Sequence, residues 1–230
     1  MNDHATIETP AIDTDSQAAT AQQKGIPRSL FAFSVFYGGM VCIAGVLANK
    51  QVAIGPLEVE AGIFAFIILV MLSSAVAELH GRTAANRLVA FGFAPLVFSI
   101  LLALFVLALP AAENDPVRLD AFNTIMLATP RIWLAGIAAY GVGQFLNVYL
   151  FSRLTAATGR WIALRGVIAG VLSQLVDTVI FITGSFYGEF PIMDLLIGQS
   201  IAKVALAMIV VPVLIVFIVR FGKWIDRHDP

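Results

Sequence analysis

Six long runs of apolar residues dominate this chain of 230 residues. They cover residues 30–48, 61–77, 88–109, 132–151, 166–186 and 195–219, and the first four contain no charged side chain. A bilayer span needs about 20 such residues, because the hydrocarbon core is about 30 Å thick. The runs are continuously apolar rather than alternating, which favours helices over a β-barrel. The sequence therefore predicts an all-α integral membrane protein with six transmembrane helices.

The composition excludes several classes of protein. Hydrophobic residues make up 59% of the chain and charged residues 13%, whereas soluble domains carry about 25% charged residues. The net charge of −1 leaves no basic face for nucleic acid. One cysteine and three histidines provide too few ligands for a metal site, and no phosphate-binding GxxxxGK[ST] motif is present. We expect no soluble enzyme, nucleic-acid partner, metal or other cofactor.

The basic residues predict the orientation, because cytoplasmic loops of membrane proteins are enriched in Lys and Arg. Of the 14 Lys and Arg residues, one side receives Lys24, Arg28, Arg82, Arg87, Arg153, Arg160, Arg165, Arg220, Lys223 and Arg227. The other side receives only Lys50, Arg118 and Arg131, together with the acidic loop residues Glu58, Glu60, Glu113, Asp115, Asp120, Glu189 and Asp194. Both termini should therefore be cytoplasmic.

Three regions follow from this topology. Residues 1–28 are polar and without periodicity, which predicts a disordered cytoplasmic tail rather than a cleaved signal peptide. Residues 29–222 form the transmembrane domain, and residues 223–230 form a cytoplasmic C-terminal tail. The longest connection, residues 110–131, is expected to be a loop.

Two ionisable residues lie inside the predicted spans. Asp177 is in the fifth span and Lys203 in the sixth, where such a residue costs about 2.5–3.5 kcal/mol at the bilayer centre. At 1.5 Å per residue they lie roughly 13 Å and 12 Å below the outer ends of their helices. Since these helices are antiparallel neighbours, the depths permit an Asp177–Lys203 ion pair.

Three spans carry polar residues on one helix face, at spacings of three and four residues. These candidate binding residues are Tyr140, Gln144 and Asn147 in the fourth span, Ser173, Gln174, Asp177 and Phe181 in the fifth, and Gln199 and Lys203 in the sixth. The three faces predict a polar chamber near mid-membrane. The alternative is that they only hold the helices together, through interhelical hydrogen bonds of about 0.6 kcal/mol each.

The residue types indicate what such a chamber could bind. A carboxylate can accept from adjacent N–H donors of a flat heterocycle, while a lysine or amide donates to its carbonyl. Guanine-like edges have this pattern, and Phe181 or Tyr140 could stack on the ring. The spacing alone does not single out a purine analogue.

Residues at the span ends are candidates for gating or structural roles. Asn49, a further candidate binding residue, and Lys50 end the first span on the outer side, where a polar helix end with a snorkelling lysine is the simpler interpretation. Glu78 closes the second span beside Arg82 and Arg87, and a salt bridge within this loop is expected. A GxxxG motif at residues 166–170 favours internal helix packing, with a homodimer as the alternative.

Several segments together resemble the queuosine precursor transporter family, also called the vitamin uptake transporter family. They are AN at the end of the first span, ELHG closing the second, GQFLNVYLFSRL in the fourth, SQLVDTVIFITGSF in the fifth and the segment around Lys203 in the sixth. The resemblance covers roughly residues 31–221. It departs at Ser73 and Ser74, where many members have an acid, and at Asn147, where some have Asp.

The resemblance implies a multi-pass protein of the bacterial inner membrane that imports 7-cyano-7-deazaguanine, a precursor of the tRNA base queuosine. It also implies a distant relation to the substrate-binding components of energy-coupling-factor transporters, and it places Asn49, Gln144, Asn147, Gln174, Asp177 and Lys203 at polar binding positions. The alternatives are a vitamin-binding component that needs ATPase partners, and a non-transporting membrane scaffold. Proton coupling and facilitated diffusion both remain open, and an enzyme is not expected.

Overall fold

The computed structural model describes residues 25–48, 50–54, 57–110, 116–126, 130–158, 161–188 and 191–227. These residues form six helices and one antiparallel hairpin. In chain order they are α1 (Arg28–Leu47), β1 (Gln51–Ile54), β2 (Leu57–Glu60), α2 (Gly62–Ala108), α3 (Pro116–Met126), α4 (Pro130–Thr158), α5 (Ile162–Phe186) and α6 (Met193–Arg227). The predicted N-terminal tail falls largely outside these residues, as does Asn49, whereas residues 223–227 of the predicted C-terminal tail continue helix α6.

Five of the described helices, all except α3, are long and apolar enough to cross a membrane. Many of their large apolar side chains point outwards, including Phe98, Phe105 and Val213, each more than 60% exposed. Such side chains fit a hydrocarbon environment rather than water. The prediction of a helical membrane protein is therefore confirmed.

The longest helix, α2, is interrupted at Gly81. A straight helix of its 47 residues would be about 70 Å long, more than twice the hydrocarbon thickness of about 30 Å. Gly81 has φ 84° and ψ 166°, a backbone conformation that suits only glycine. It divides α2 into residues 62–80 and 82–108. The sequence predicts a loop over residues 78–87, but Gly81 is the one non-helical position in this stretch.

Two other segments expected to be loops have regular structure. The chain between the first two spans forms the β1–β2 hairpin, with Gln51 opposite Glu60, and residues 116–126 form α3. The sequence contains signals for both. In QVAIGPLEVE a Gly-Pro turn signal separates the apolar run VAI from the alternating LEVE, and a proline is favourable in the first turn of a helix such as α3.

The central helix α5 packs between α4 and α6, and α2 packs against α1, α4 and α6. The glycine motif of α5 is part of this packing. A Cβ atom on Gly166 would lie 2.8 Å from Cδ1 of Ile215 on α6, so any larger residue there would require the Ile215 side chain to shift. The GxxxG motif therefore serves packing within the molecule, as the sequence predicts.

Candidate functional site

A cavity of about 540 Å³ lies among the helices, within the range of about 300–1,000 Å³ that is usual for small-molecule sites. Most of its lining is apolar. Apart from Glu60 and two residues of α3, its lining residues fall within 41–48 of α1, 63–69 and 96–103 of α2, 132–140 of α4, 177–186 of α5 and 195–203 of α6. These are the helix halves that end beside the hairpin and α3. We call this cavity the chamber.

The Asp177–Lys203 ion pair lies in the chamber wall. The Nζ atom of Lys203 is 3.0 Å from Oδ2 of Asp177, to which it donates a hydrogen bond. The two side chains are only 9% and 8% exposed. The pair is possible because Gly143 of α4 has no side chain: a Cβ atom there would lie 3.1 Å from the Cβ of Asp177. The Asp177–Lys203 ion pair that the depths permit is therefore present.

A second carboxylate, Glu60, reaches the chamber from the end of β2. Its Oε1 accepts a hydrogen bond of 3.0 Å from Nε2 of Gln199. Glu60 lies outside the spanning helices, and burial raises the pKa of its carboxyl above the ordinary value of 4.5. The positive charge of Lys203 opposes this rise, whereas the negative charge of Asp177 adds to it. The chamber thus contains two carboxyl groups for one ammonium group.

Aromatic side chains line the remainder of the chamber: Phe66, Trp133, Tyr140, Phe181 and Phe186. The rings of Phe181 and Phe186 meet edge to face, with centroids 6.3 Å apart. A chamber that combines aromatic walls with a few charged and amide groups suits a flat heterocycle, because the rings can stack while the polar groups bind its edge.

Two buried tyrosines separate the chamber from the opposite ends of the helices. The hydroxyl oxygen of Tyr140 is 3.1 Å from that of Tyr37 and 3.2 Å from the carbonyl oxygen of Val89. Gly92 makes room for this contact, because a Cβ atom there would overlap the Tyr140 hydroxyl and lie 2.8 Å from the Tyr37 ring. The Tyr37–Tyr140 contact therefore lies at the end of the chamber that is farther from the hairpin.

Two of the candidate binding residues form a buried network outside the chamber lining. The Nδ2 atom of Asn147 lies 3.0 Å from the hydroxyls of both Ser73 and Ser74 and 3.2 Å from the carbonyl oxygen of Val70. Ser73 donates to Oε1 of Gln144 at 3.2 Å. These contacts join α4 to α2, which is the structural alternative that the sequence leaves open.

Two further candidates, Ser173 and Gln174, are also buried outside the chamber lining. The Ser173 hydroxyl donates to the carbonyl oxygen of Gly170 within its own helix. The Oε1 atom of Gln174 has no hydrogen-bond partner among the described residues. Of the nine candidates within the described residues, Tyr140, Asp177, Phe181, Gln199 and Lys203 line the chamber.

Glu78 does not form the expected salt bridge with its neighbours in sequence, Arg82 and Arg87. Its Oε2 atom is 3.0 Å from Nη1 of Arg165 on α5. Arg165 is 2% exposed and also lies over the Phe151 ring. An unpaired charge costs much more free energy when it is buried than when it is exposed to solvent. Glu78 therefore pairs with the buried Arg165 rather than with the exposed Arg82 or Arg87.

Lys50 is exposed and does not line the chamber. Its carbonyl oxygen instead accepts a hydrogen bond of 2.8 Å from the backbone of Ala61, which ties the base of the hairpin together. Within the described residues, no three His, Cys, Asp or Glu side chains cluster as a metal site.

Glu60 and Trp133 are chamber residues that are not among the sequence candidates. Trp133 comes in the first turns of a span, where aromatic residues usually mark the membrane interface. For Glu60 the available signal is the Gly-Pro turn in QVAIGPLEVE together with the alternating LEVE, which indicates a hairpin that ends at Glu60, next to the start of α2.

Long apolar helices around a cavity with buried charges define a helical membrane protein. Residues 60–217 match the family model described as putative vitamin uptake transporter, and the chain belongs to this family. This confirms the family that the sequence motifs indicate. It also agrees with the predicted multi-pass location in a bacterial inner membrane.

Two relatives carry more specific names. The probable queuosine precursor transporter of Bacillus subtilis (strain 168) is 27% identical over 183 residues, which cover 77% of this chain and 80% of the relative. The queuosine precursor transporter of Escherichia coli (strain K12) is 23% identical over 160 residues, or 70% of each chain. No solved structure matches the chain significantly.

Proposed function

We propose that the protein imports a queuosine precursor, 7-cyano-7-deazaguanine, by binding it in the chamber. The observation that carries this proposal is the buried Asp177–Lys203 pair, which sits in the wall of a cavity that is otherwise mostly apolar and aromatic. Two relatives named as queuosine precursor transporters support the substrate class.

The chamber offers the groups that a guanine-type edge requires. A carboxylate oxygen of Asp177 would accept from the ring N–H and the exocyclic amine, while Lys203 would donate to the ring carbonyl. Glu60 and Gln199 provide a second carboxyl–amide pair in the same cavity. Phe181 and Trp133 would stack against the heterocycle.

The transport direction follows from the proposed topology. With Gly81 as a break, residues 62–80 and 82–108 would cross separately, giving six spans with both termini in the cytoplasm. The chamber would then open to the outside. Import would require the contacts at its inner end to part, namely the Tyr37–Tyr140 pair and the network around Asn147.

Uptake of 7-cyano-7-deazaguanine by cells that lack their own transporter tests this proposal. Asp177→Asn keeps the side-chain shape but removes the acceptor charge, so we expect uptake to fall to the background level. Asp194→Asn is the matched control, because Asp194 is exposed on α6 outside the chamber lining and should leave uptake unchanged. Both variants must reach the membrane in equal amounts. Full uptake by Asp177→Asn would refute the site assignment.

The family description favours one second candidate, a vitamin-binding component that depends on ATPase and coupling subunits. Expression of this chain alone distinguishes the two. Uptake by the single chain supports the proposed importer, whereas uptake only with co-expressed partner subunits supports the second candidate.

A further inference from the structure

Two arginines share one tyrosine at the surface between α2 and α4. The guanidinium carbon of Arg82 is 4.9 Å from the centre of the Tyr149 ring, and that of Arg153 is 5.8 Å from it. Arg153 also donates a hydrogen bond of 3.3 Å from Nε to the Tyr149 hydroxyl. Both arginines are exposed. Tyr149 therefore holds two like charges close together.

Neither arginine has an acidic partner among the described residues. The nearby carboxylate of Glu78 is instead paired with the buried Arg165 at 3.0 Å. Two exposed guanidinium groups without a carboxylate repel each other, and an anion placed between them removes this repulsion. Because a guanidinium is planar and carries several donors, it matches the geometry of phosphate as well as carboxylate groups.

An apolar groove of about 700 Å³ runs along α4 and has Arg82 and Tyr149 in its lining. Arg153 does not line the groove itself but contacts the same tyrosine. Phe93, Val142 and Phe145 are among the residues that line the groove. Gly141 lines the groove and leaves room for the Phe93 ring, because a Cβ atom at position 141 would lie 2.8 Å from Cζ of Phe93. The groove thus combines a cationic end with an apolar wall long enough for a hydrocarbon chain.

The position of the two arginines in the fold indicates that the phosphate belongs to a lipid head group. Arg82 begins the second arm of α2 and Arg153 lies near the end of α4, at the helix ends opposite the chamber. By the distribution of basic residues this is the cytoplasmic side. Cationic pockets between helices on that side bind anionic lipid head groups.

We propose that Arg82, Arg153 and the adjoining groove form a binding site for an anionic phospholipid. The two guanidinium groups bind the phosphate, Tyr149 positions both of them through its ring and hydroxyl, and one acyl chain lies along Phe93 and Phe145. This site is separate from the chamber and does not depend on the transported substrate.

Native mass spectrometry of the full chain in mild detergent tests the proposal, with phosphatidylglycerol compared against phosphatidylcholine of the same acyl chains. We expect phosphatidylglycerol to bind preferentially. In Arg82→Gln/Arg153→Gln its affinity should fall about 30-fold, since each arginine near the surface contributes about fivefold. The matched control Arg87→Gln/Arg220→Gln removes two exposed arginines elsewhere on the same side and should retain the affinity.

Two further measurements separate the head group from the groove. Gly141→Ala pushes Phe93 into the groove and leaves both arginines in place, so lipid affinity should fall although the charge is unchanged. Inorganic phosphate at the same concentration should not compete, because it lacks the acyl chain. Equal affinity loss in both double variants, equal binding of the two lipids, or full competition by phosphate would each overturn the proposal.

Discussion

The charges in the chamber lead to an asymmetric prediction for its ion pair. Lys203 faces two carboxyl groups, that of Asp177 at 3.0 Å and that of Glu60, whose pKa its charge lowers. Lys203→Met leaves two buried carboxyl groups without a cation. Asp177→Asn leaves one carboxyl group and one cation. The lysine variant should therefore be the less stable of the two.

The size of the expected loss of stability follows from the burial of the Asp177–Lys203 pair. Removing one partner of a buried ion pair costs about 3–5 kcal/mol, because the other charge stays buried without compensation. For a chain of this size each kcal/mol lowers Tm by about 2–4 °C. We expect Lys203→Met to lower Tm by about 6–20 °C, and Asp177→Asn to lower it by less. The double variant should lose less than the sum of the two.

Thermal unfolding in detergent, at one heating rate because such unfolding is often irreversible, measures all three variants. Lys223→Met and Asp194→Asn are matched controls, since both residues are exposed on the same helix as Lys203. Their Tm values should stay within 1–2 °C of the original, as is usual for surface substitutions of about 0.5 kcal/mol. The reasoning is refuted if Asp177→Asn costs as much as Lys203→Met, or if the two losses simply add.

Two further substitutions test other parts of the chamber. Because burial raises the pKa of Glu60, its proton favours the folded state, and this contribution is lost as the pH rises from 4.5 through the raised pKa. Tm of the original chain should therefore fall relative to that of Glu60→Gln over this range, and parallel curves would contradict the assignment. Gly92→Ala forces a Cβ atom against Tyr140 and Tyr37, so we expect a loss of about 1–3 kcal/mol, seen as a lower Tm. The control Gly198→Ala has open space at its Cβ and should not lower Tm; equal effects would argue against a tight tyrosine contact.

The membrane-spanning helices and the matching depths of Asp177 and Lys203 could be inferred from the sequence. Continuous apolar runs are a strong signal in a membrane protein, and depth along a helix follows from residue count alone. Asp177 and Lys203 lie at matched depths on neighbouring antiparallel helices, so their pairing could be recognised as possible without coordinates.

The place of Glu60 in the chamber could not be inferred by counting residues along the spans, because Glu60 lies on a hairpin rather than a helix. Counting depth along spans assigns it to an outer loop, whereas the β1–β2 hairpin brings its side chain within 3.0 Å of Gln199. Gln144 and Asn147 illustrate a different limit. Their spacing identifies a polar face, but the partner of that face depends on Ser73 and Ser74 on another helix.

The most direct test of the chamber as a substrate site is the Tm of the purified protein with and without 7-cyano-7-deazaguanine, with guanine as comparison. At 100 times the dissociation constant, binding should add about 2.7 kcal/mol, which corresponds to a rise of several degrees. We predict that this rise disappears in Asp177→Asn and persists in Asp194→Asn. No rise with either ligand, or an equal rise in Asp177→Asn, would contradict binding of the precursor at this site.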